Sequence, residues 1–413
     1  MSGPGVSFFS KVLYMMRRMN FSAANITESD HAFRRAMNAR MATFAQDHVA
    51  SRADLRNHDV IPAELWRAFG DAGLAGFGVP EADGGCGGDY RLLAMAAETL
   101  ASVGGVKGVV TCWLSRQIIT RLHLIRLGTA QQRAAYAPKL AAGDLTPCMA
   151  ISEPGAGAHP KHLKTSAVRD GDSFILNGEK AYLTNGPIAD IFLVLAITGV
   201  EDGRKLFSVL IVPRDAPGMT LTEGVVVDFL RPAPHCGLRM ENVRVPAGNL
   251  LGPEGEAFPA ISLPMRRVED ALAAASMAGA LRHQLTQFAR EIGAGALDDD
   301  AMAELGWLAA GPDGLSALAY RTAERLDLDA NDLDSGDADI SNLAAAARDW
   351  ARILQERLSA LMDKSGLSVS PELAAERRDL EKTLGIARTA HIIQAQRRAA
   401  ALFPDNANEI ALI

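Results

Sequence analysis

Cysteine is scarce in this 413-residue sequence: Cys86, Cys112, Cys148 and Cys236 stand far apart and form no C-x-x-C pair. That pattern argues against a disulfide framework or a cysteine zinc site, and it fits a reducing, cytoplasmic-type compartment. No apolar run approaches the roughly 20 residues that a membrane-spanning helix requires. The longest, around Ile191–Val200, is bounded like a strand. An excess of positive charge is missing too. Against 42 basic residues stand 49 acidic ones, a net charge of −7, and no basic block carries interleaved aromatics. Nucleic acid is therefore not an expected partner. Nor does any G-x-G-x-x-G fingerprint open a helix, which argues against a dinucleotide-binding Rossmann unit.

What remains is an ordinary globular composition, 48% hydrophobic and 22% charged, with a mean hydropathy of +0.04. A chain of this length can bury a large core in two or three structural units. Residues 1–27 carry Lys11, Arg17 and Arg18, no acid, and apolar residues such as Phe8, Phe9 and Leu13. This stretch reads as a targeting or membrane-surface segment, or more plainly as an extension upstream of a start at Met16 or Met19.

Three zones follow. Residues 28–145 read as helical, with Ala-rich periodic runs at His31–Arg52, Ala63–Gly73, Arg91–Val103 and Cys112–Leu127. Residues 146–252 turn β-rich, with short runs at Phe174–Leu176, Ala181–Thr184, Ile191–Thr198, Leu206–Val212 and Thr220–Val227. Turn pairs such as Gly171-Asp172, Asn177-Gly178 and Asp202-Gly203 separate them. Successive strands without intervening helices imply an antiparallel sheet or barrel. Residues 253–413 return to helix at Leu263–Glu291, Ala301–Leu326, Asn342–Lys364 and Pro371–Leu402, with an acidic loop at Asp327–Asp339.

Four motifs in order carry a family resemblance. They are the Leu127-Gly128-Thr129 to Gly143-Asp144 stretch, Ile151-Ser152-Glu153-Pro154-Gly155-Ala156-Gly157, Leu176-Asn177-Gly178-Glu179-Lys180-Ala181-Tyr182-Leu183-Thr184-Asn185, and Glu241-Asn242-Val243-Arg244-Val245-Pro246 with Asn249-Leu250-Leu251-Gly252. Together they resemble the acyl-CoA dehydrogenase superfamily over roughly residues 30–290. The resemblance implies an α+β multidomain fold, with an N-terminal α-helical domain, a central antiparallel β-barrel and a C-terminal four-helix bundle. It also implies bound FAD, an acyl-CoA or other acyl-thioester substrate, electron-transfer flavoprotein as electron acceptor, and a homo-tetramer. A carboxylate would remove the α proton while the flavin takes the β hydride. Ser152, Tyr182 and Thr184 would lie by the flavin ring, with Met149 and Ile151 lining the same face. Taken alone, Tyr182 and Thr184 are also ordinary strand residues.

The sequence departs from that family at the base. Its two base positions fall here on Arg266, within Leu263-Pro264-Met265-Arg266-Arg267, and on Arg388 when Ile386 and Ile393-Gln394 serve as anchors (Ala387 on an ungapped count). A guanidinium stays protonated and cannot act as a base. Glu269 and Asp270, one turn beyond Arg266, are candidate substitutes. The plainer reading is an Arg266–Asp270 ion pair. Arg266 and Arg388 also suit contacts with a carboxylate or phosphate. In the family's adenosine-binding stretch Arg290 keeps the arginine, but Gly293-Ala294 replace Phe-Gly. His159 and His162 have no third ligand nearby in sequence, so no metal site is expected. Three functions stay open: an FAD-dependent acyl-thioester dehydrogenase with a displaced base such as Glu269, an impaired subunit paired with an intact paralogue in a hetero-oligomer, or a flavoenzyme with base-independent chemistry.

Overall fold

Acidic residues in a first turn favour the positive end of a helix, and the first helix begins on Glu28 and Asp30. The computed structural model describes residues 28–225, 227–328, 338–366, 368–400 and 402–403; the readings made for residues 1–27 and for most of the acidic loop lie outside them. Helix α1 spans Glu28–Ala45 and winds on to Ala50, α2 spans Ala63–Asp71, α3 spans Tyr90–Gly104 and α4 spans Lys107–Ile118. Asp89 caps α3 by accepting from the Leu92 N–H, and Gly105 ends it at φ 72°. Helix α5 (Ala130–Ala142) starts with a reciprocal capping box between Thr129 and Gln132 and stops at Gly143, φ 88°.

The strands are β1 (Pro147–Ala150), β2 (Ser166–Asp170), β3 (Ser173–Thr184), β4 (Ile191–Glu201), β5 (Arg204–Pro213), β6 (Met219–Thr222), β7 (His235–Pro246) and β8 (Leu250–Leu251). They form one sheet in the order β6-β7-β3-β2-β4-β5-β8, with β1 beside β4. The expected closed antiparallel barrel does not form. The end strands β6 and β8 do not pair, β1 runs parallel to β4, and β2 meets β4 through one parallel register pair, Ser166 with Ile197. The open sheet instead folds one half over the other. Phe174 and Leu176 of β3 and Leu238 and Met240 of β7 share a core with Phe192, Val194, Leu210 and Val212. The opposite faces of β4 and β5, including Leu193, Leu195, Val209 and Ile211, pack into a second core with Ile119, Leu124 and Ile261. Burial on both faces is why β4 and β5 read as continuous apolar runs.

Asn177-Gly178 is not a turn between strands. It lies inside β3, where the pairing with β7 shifts register between Leu176 and Gly178. Gly178 has φ 142°, and a Cβ there would come within 2.6 Å of the Thr165 hydroxyl. A bulge glycine and a hairpin glycine look alike in sequence.

The C-terminal helices are α6 (Leu263–Ile292), α7 (Asp299–Leu328), α8 (Ala338–Ser365), α9 (Pro371–Gly385) and α10 (Arg388–Ala400). The run expected over Pro371–Leu402 is thus two helices. Ala387 takes φ 56°, and the Arg348 Nη2 donates to the carbonyls of Leu384 (2.6 Å), Ile386 (2.7 Å) and Thr383 (3.4 Å). A charged donor thus takes up the orphan carbonyls at the end of α9. Buried residues of the N-terminal helices and of α6–α9 belong to one continuous apolar cluster. Helices α3 and α6 approach closely at Gly279, where a Cβ would lie 2.2 Å from the Glu98 carbonyl oxygen. Gly279→Ala must therefore push the two helices apart. A loss of about 1–3 kcal/mol in chemical denaturation is expected, and an unchanged midpoint would show that the close approach does not matter to stability.

Candidate active site

The Ser152-Glu153-Pro154 loop leaves β1 and is fixed from below by a buried ion pair. Lys180 Nζ donates to Glu153 Oε1 at 2.9 Å and to the Ile151 carbonyl at 3.0 Å. The Glu153 carboxylate also accepts from the backbone N–H groups of Lys164 (2.7 Å) and Thr165 (2.9 Å). Burial raises the Glu153 pKa, but the bonds from Thr165 and the charge of Lys180 outweigh it and leave the carboxyl below its ordinary value. Burial lowers Lys180 to about 8, opposed by Glu153, so both stay charged at neutral pH. Both residues were legible as parts of motifs; their bond to each other was not.

That pair holds the loop against β3. The Ala181 N–H donates to the Ser152 carbonyl at 2.8 Å. The next residue, Tyr182, takes φ 60° at a second register shift between Lys180 and Leu183. A bulky residue rarely tolerates that conformation, and here it leaves Tyr182 50% exposed. Met149 lies buried in the core between sheet and helices, and Ile151 packs against the same core. Thr184 faces His235 across the β3–β7 ladder. His235 Nδ1 lies 3.0 Å from the Ala233 carbonyl and must carry the proton. The Thr184 hydroxyl therefore donates to His235 Nε2 at 3.2 Å, and its oxygen is left as an acceptor. Burial lowers the pKa of His235 and keeps its ring neutral. His235 is a site residue that motif reading passed over.

Met265, beside Arg266, packs against the same core as Met149 and Ile151, so the start of α6 adjoins β1. Arg266 Nε donates to Asp270 at 2.8 Å, the ion pair that the sequence offered as the plainer reading. Its Nη2 donates to His391 Nε2 at 2.9 Å. His391 lies one turn beyond Arg388, so Arg266 of α6 contacts the helix that carries Arg388. Arg266, Asp270, Arg348, His391 and Gln394 line a cleft of about 180 Å³ between α6, α8 and α10. Arg388 lines the adjoining groove together with Arg348 and His391. His391 and Arg348 were missed in sequence, although a histidine inside the Ile386–Gln394 anchor segment was a visible signal.

Glu269 is exposed and is not among the residues lining the cleft. Desolvation is the main cause that raises its pKa to about 7, with Arg266 opposing the rise and Asp270 adding to it; the exposure of the side chain limits the first of these. Arg290 is exposed in the last turn of α6. At 1.5 Å per residue it stands roughly 36 Å along the helix from Arg266. Within one subunit the two do not share a site.

Two family models match the chain. The acyl-CoA dehydrogenase N-terminal domain covers residues 28–144 and the middle domain covers residues 148–243. An acyl-CoA dehydrogenase of Bacillus subtilis is 31% identical over 268 residues, 62% of this chain and 70% of that protein. The mitochondrial 2-methylacyl-CoA dehydrogenase of Solanum tuberosum is 34% identical over 219 residues, 52% of this chain and 53% of its own length. A glutaryl-CoA dehydrogenase from Mycobacterium smegmatis, solved with FADH2, superposes with a TM-score of 0.76 at 22% identity, over 92% of this chain and 97% of that one. The chain belongs to the acyl-CoA dehydrogenase superfamily. Matched stretches span between 52% and 70% of these and similar curated relatives. Both family models end before α6, so the C-terminal helices join the family through their fold.

Lys180→Met leaves a buried carboxylate with only backbone donors. It should cost about 3–5 kcal/mol in denaturant unfolding at pH 7. Adding Glu153→Gln to that variant should restore part of the loss; a double variant no more stable than the single one argues against the pair as the cause.

Proposed function

We propose that the protein is an FAD-dependent acyl-thioester oxidoreductase. The observation that carries this reading is the surface beside β1 and β3. Apolar Met149 and Ile151, the Ser152 hydroxyl, the exposed Tyr182 ring and the acceptor oxygen of Thr184 come from two strands joined through Lys180 and Glu153. An apolar platform with a few fixed polar groups is what a planar ring system needs. These residues suit the flavin-ring end of the cofactor. The adenosine end has less to hold it within one subunit, where Arg290 is remote, and this favours an oligomer in which a neighbouring copy supplies Arg290. Bound FAD would supply the hydride acceptor, and electron-transfer flavoprotein is a candidate electron sink.

The chain's own contribution to proton removal falls to Glu269, the acid near Arg266 whose pKa lies at about 7. A carboxyl must lose its proton before it can accept another. Turnover should therefore rise with pH through about 7 and level off above it. A second reading, a subunit that depends on an intact paralogue, is favoured by guanidinium groups at both base positions, Arg266 and Arg388.

The test is to express the protein alone. A yellow protein bleached anaerobically by an acyl-CoA is expected, and Glu269→Gln should slow bleaching by about a hundredfold or more. Undiminished bleaching in that variant removes Glu269 from the mechanism. A colourless protein that acquires flavin only when co-expressed with a paralogue favours the second reading.

A further inference from the structure

The cleft at Arg266 has a charge pattern that a plain acyl chain does not need. Arg266, Arg267 and Arg348 bring three guanidinium groups to its wall, against the single carboxylate of Asp270. Arg267 has an interaction of its own, so the pattern rests on Arg266 and Arg348. Asp270 is committed to Arg266 Nε. Arg348 Nη2 serves only neutral carbonyls at the end of α9, which satisfy its hydrogen bonding without neutralising its charge. His391 adds nothing negative and nothing positive. A guanidinium can only donate, so His391 Nε2 must accept from Arg266, and the imidazole proton sits on Nδ1. Burial, together with the charges of Arg348 and Arg266, lowers the His391 pKa to about 4. The ring is therefore neutral at physiological pH and reports the positive field around it. Arg266 Nη1 and Arg348 Nη1 make no hydrogen bond among the described residues.

Apart from Ser341 and Gln394, the remainder of the cleft is apolar. Ala274 and Met277 of α6 and Ile340 and Ala344 of α8 line it. Its volume, about 180 Å³, is on the scale of the roughly 150 Å³ cavity that accepts benzene. It can take about four or five carbons with a small terminal group. Apolar walls joined to paired guanidinium donors match a short aliphatic chain ending in a carboxylate.

We infer that this cleft is a carboxylate-recognition site, and that the acyl thioester it accepts carries a second, free carboxylate at the far end of a short chain. The inference rests on the acyl-thioester reading above. It assigns Arg266, at a position where the family places a base, to substrate recognition, with Arg348 as its partner and Asp270 and His391 as positioning residues. Asp270 fixes the Nε edge of Arg266 and His391 fixes one Nη2 hydrogen, which turns the remaining edge of the guanidinium toward the ligand.

The test compares two thioesters that share the same coenzyme and chain length. Glutaryl-CoA carries a terminal carboxylate where valeryl-CoA carries a methyl group. Binding to the flavin-loaded protein is measured by calorimetry, so that turnover is not needed. Glutaryl-CoA should bind at least about tenfold more tightly, the scale of one charge-assisted hydrogen bond, and added salt should narrow the gap. Arg266→Gln, with folding checked by its thermal melt, should abolish the difference, and Arg266→Lys should keep part of it. Equal affinities in the unmodified protein overturn the inference and leave the acyl-thioester reading intact. Equal weakening of both ligands in Arg266→Gln also overturns it, because the arginine would then be holding the coenzyme phosphates. Binding of neither thioester overturns both readings.

Discussion

The Lys180–Glu153 ion pair carries more of this architecture than its two residues suggest. Lys180 belongs to β3, in the half of the sheet that also holds β7. Glu153 follows β1, which runs beside β4 in the other half. The two halves share one register pair through β2 and β4, and the ion pair, with the Ala181-to-Ser152 backbone bond beside it, adds a further tie between them. It sits where the Ser152 loop and the Tyr182 bulge meet. Removing two charges from water is costly, and such a pair is favourable only when its remaining hydrogen-bonding capacity is met. Glu153 meets that condition through Lys164 and Thr165, and Lys180 through the Ile151 carbonyl. The conformation of the surface beside β1 and β3 is thereby fixed by electrostatics inside the protein.

A similar economy governs the C-terminal helices. Asp379 of α9 accepts from the Leu230 N–H, which anchors the loop leading into β7 and so to His235. Arg348 of α8 ends α9 and, in the same position, lines the cleft beside Arg266. Structural bonds and candidate ligand contacts thus fall on the same side chains. The cleft therefore keeps its geometry through bonds that the fold itself requires. Arg266 is held by Asp270 on one side and His391 on the other, and neither neighbour neutralises the whole cleft.

Much of this was readable in the sequence where motif and periodicity agreed. The helices from Glu28 to Ala142, the strands at Ile191–Glu201 and Arg204–Pro213, and the long helix from Leu263 follow from local apolar spacing and caps. The Ser152, Tyr182 and Thr184 positions followed from the motifs. What escaped was information held by distant partners. Gly178 reads as a turn until Thr165 and β7 are seen on either side of it. Pro371–Leu402 reads as one helix because nothing near Ile386 announces that Arg348, almost forty residues earlier, will take its carbonyl. Barrel closure depends on whether β6 and β8 meet, and short edge strands carry no signal of that. His391 stands between Ile386 and Gln394, and nothing local in the sequence signals that Arg266, 125 residues earlier, will donate to it.

The narrow junction between Ser166 and Ile197 makes the sheet a folded leaf, stitched at its spine by few bonds. A closed tube fixes its bore by hydrogen bonds around the full circumference. A leaf fixes its opening by the thickness of what is pressed between the pages, here Phe174, Phe192, Leu210 and Leu238. Tyr182 and Met149 lie on opposite pages. The spacing between them is therefore set by side-chain volume deep inside the fold, and it can change while every motif residue stays the same.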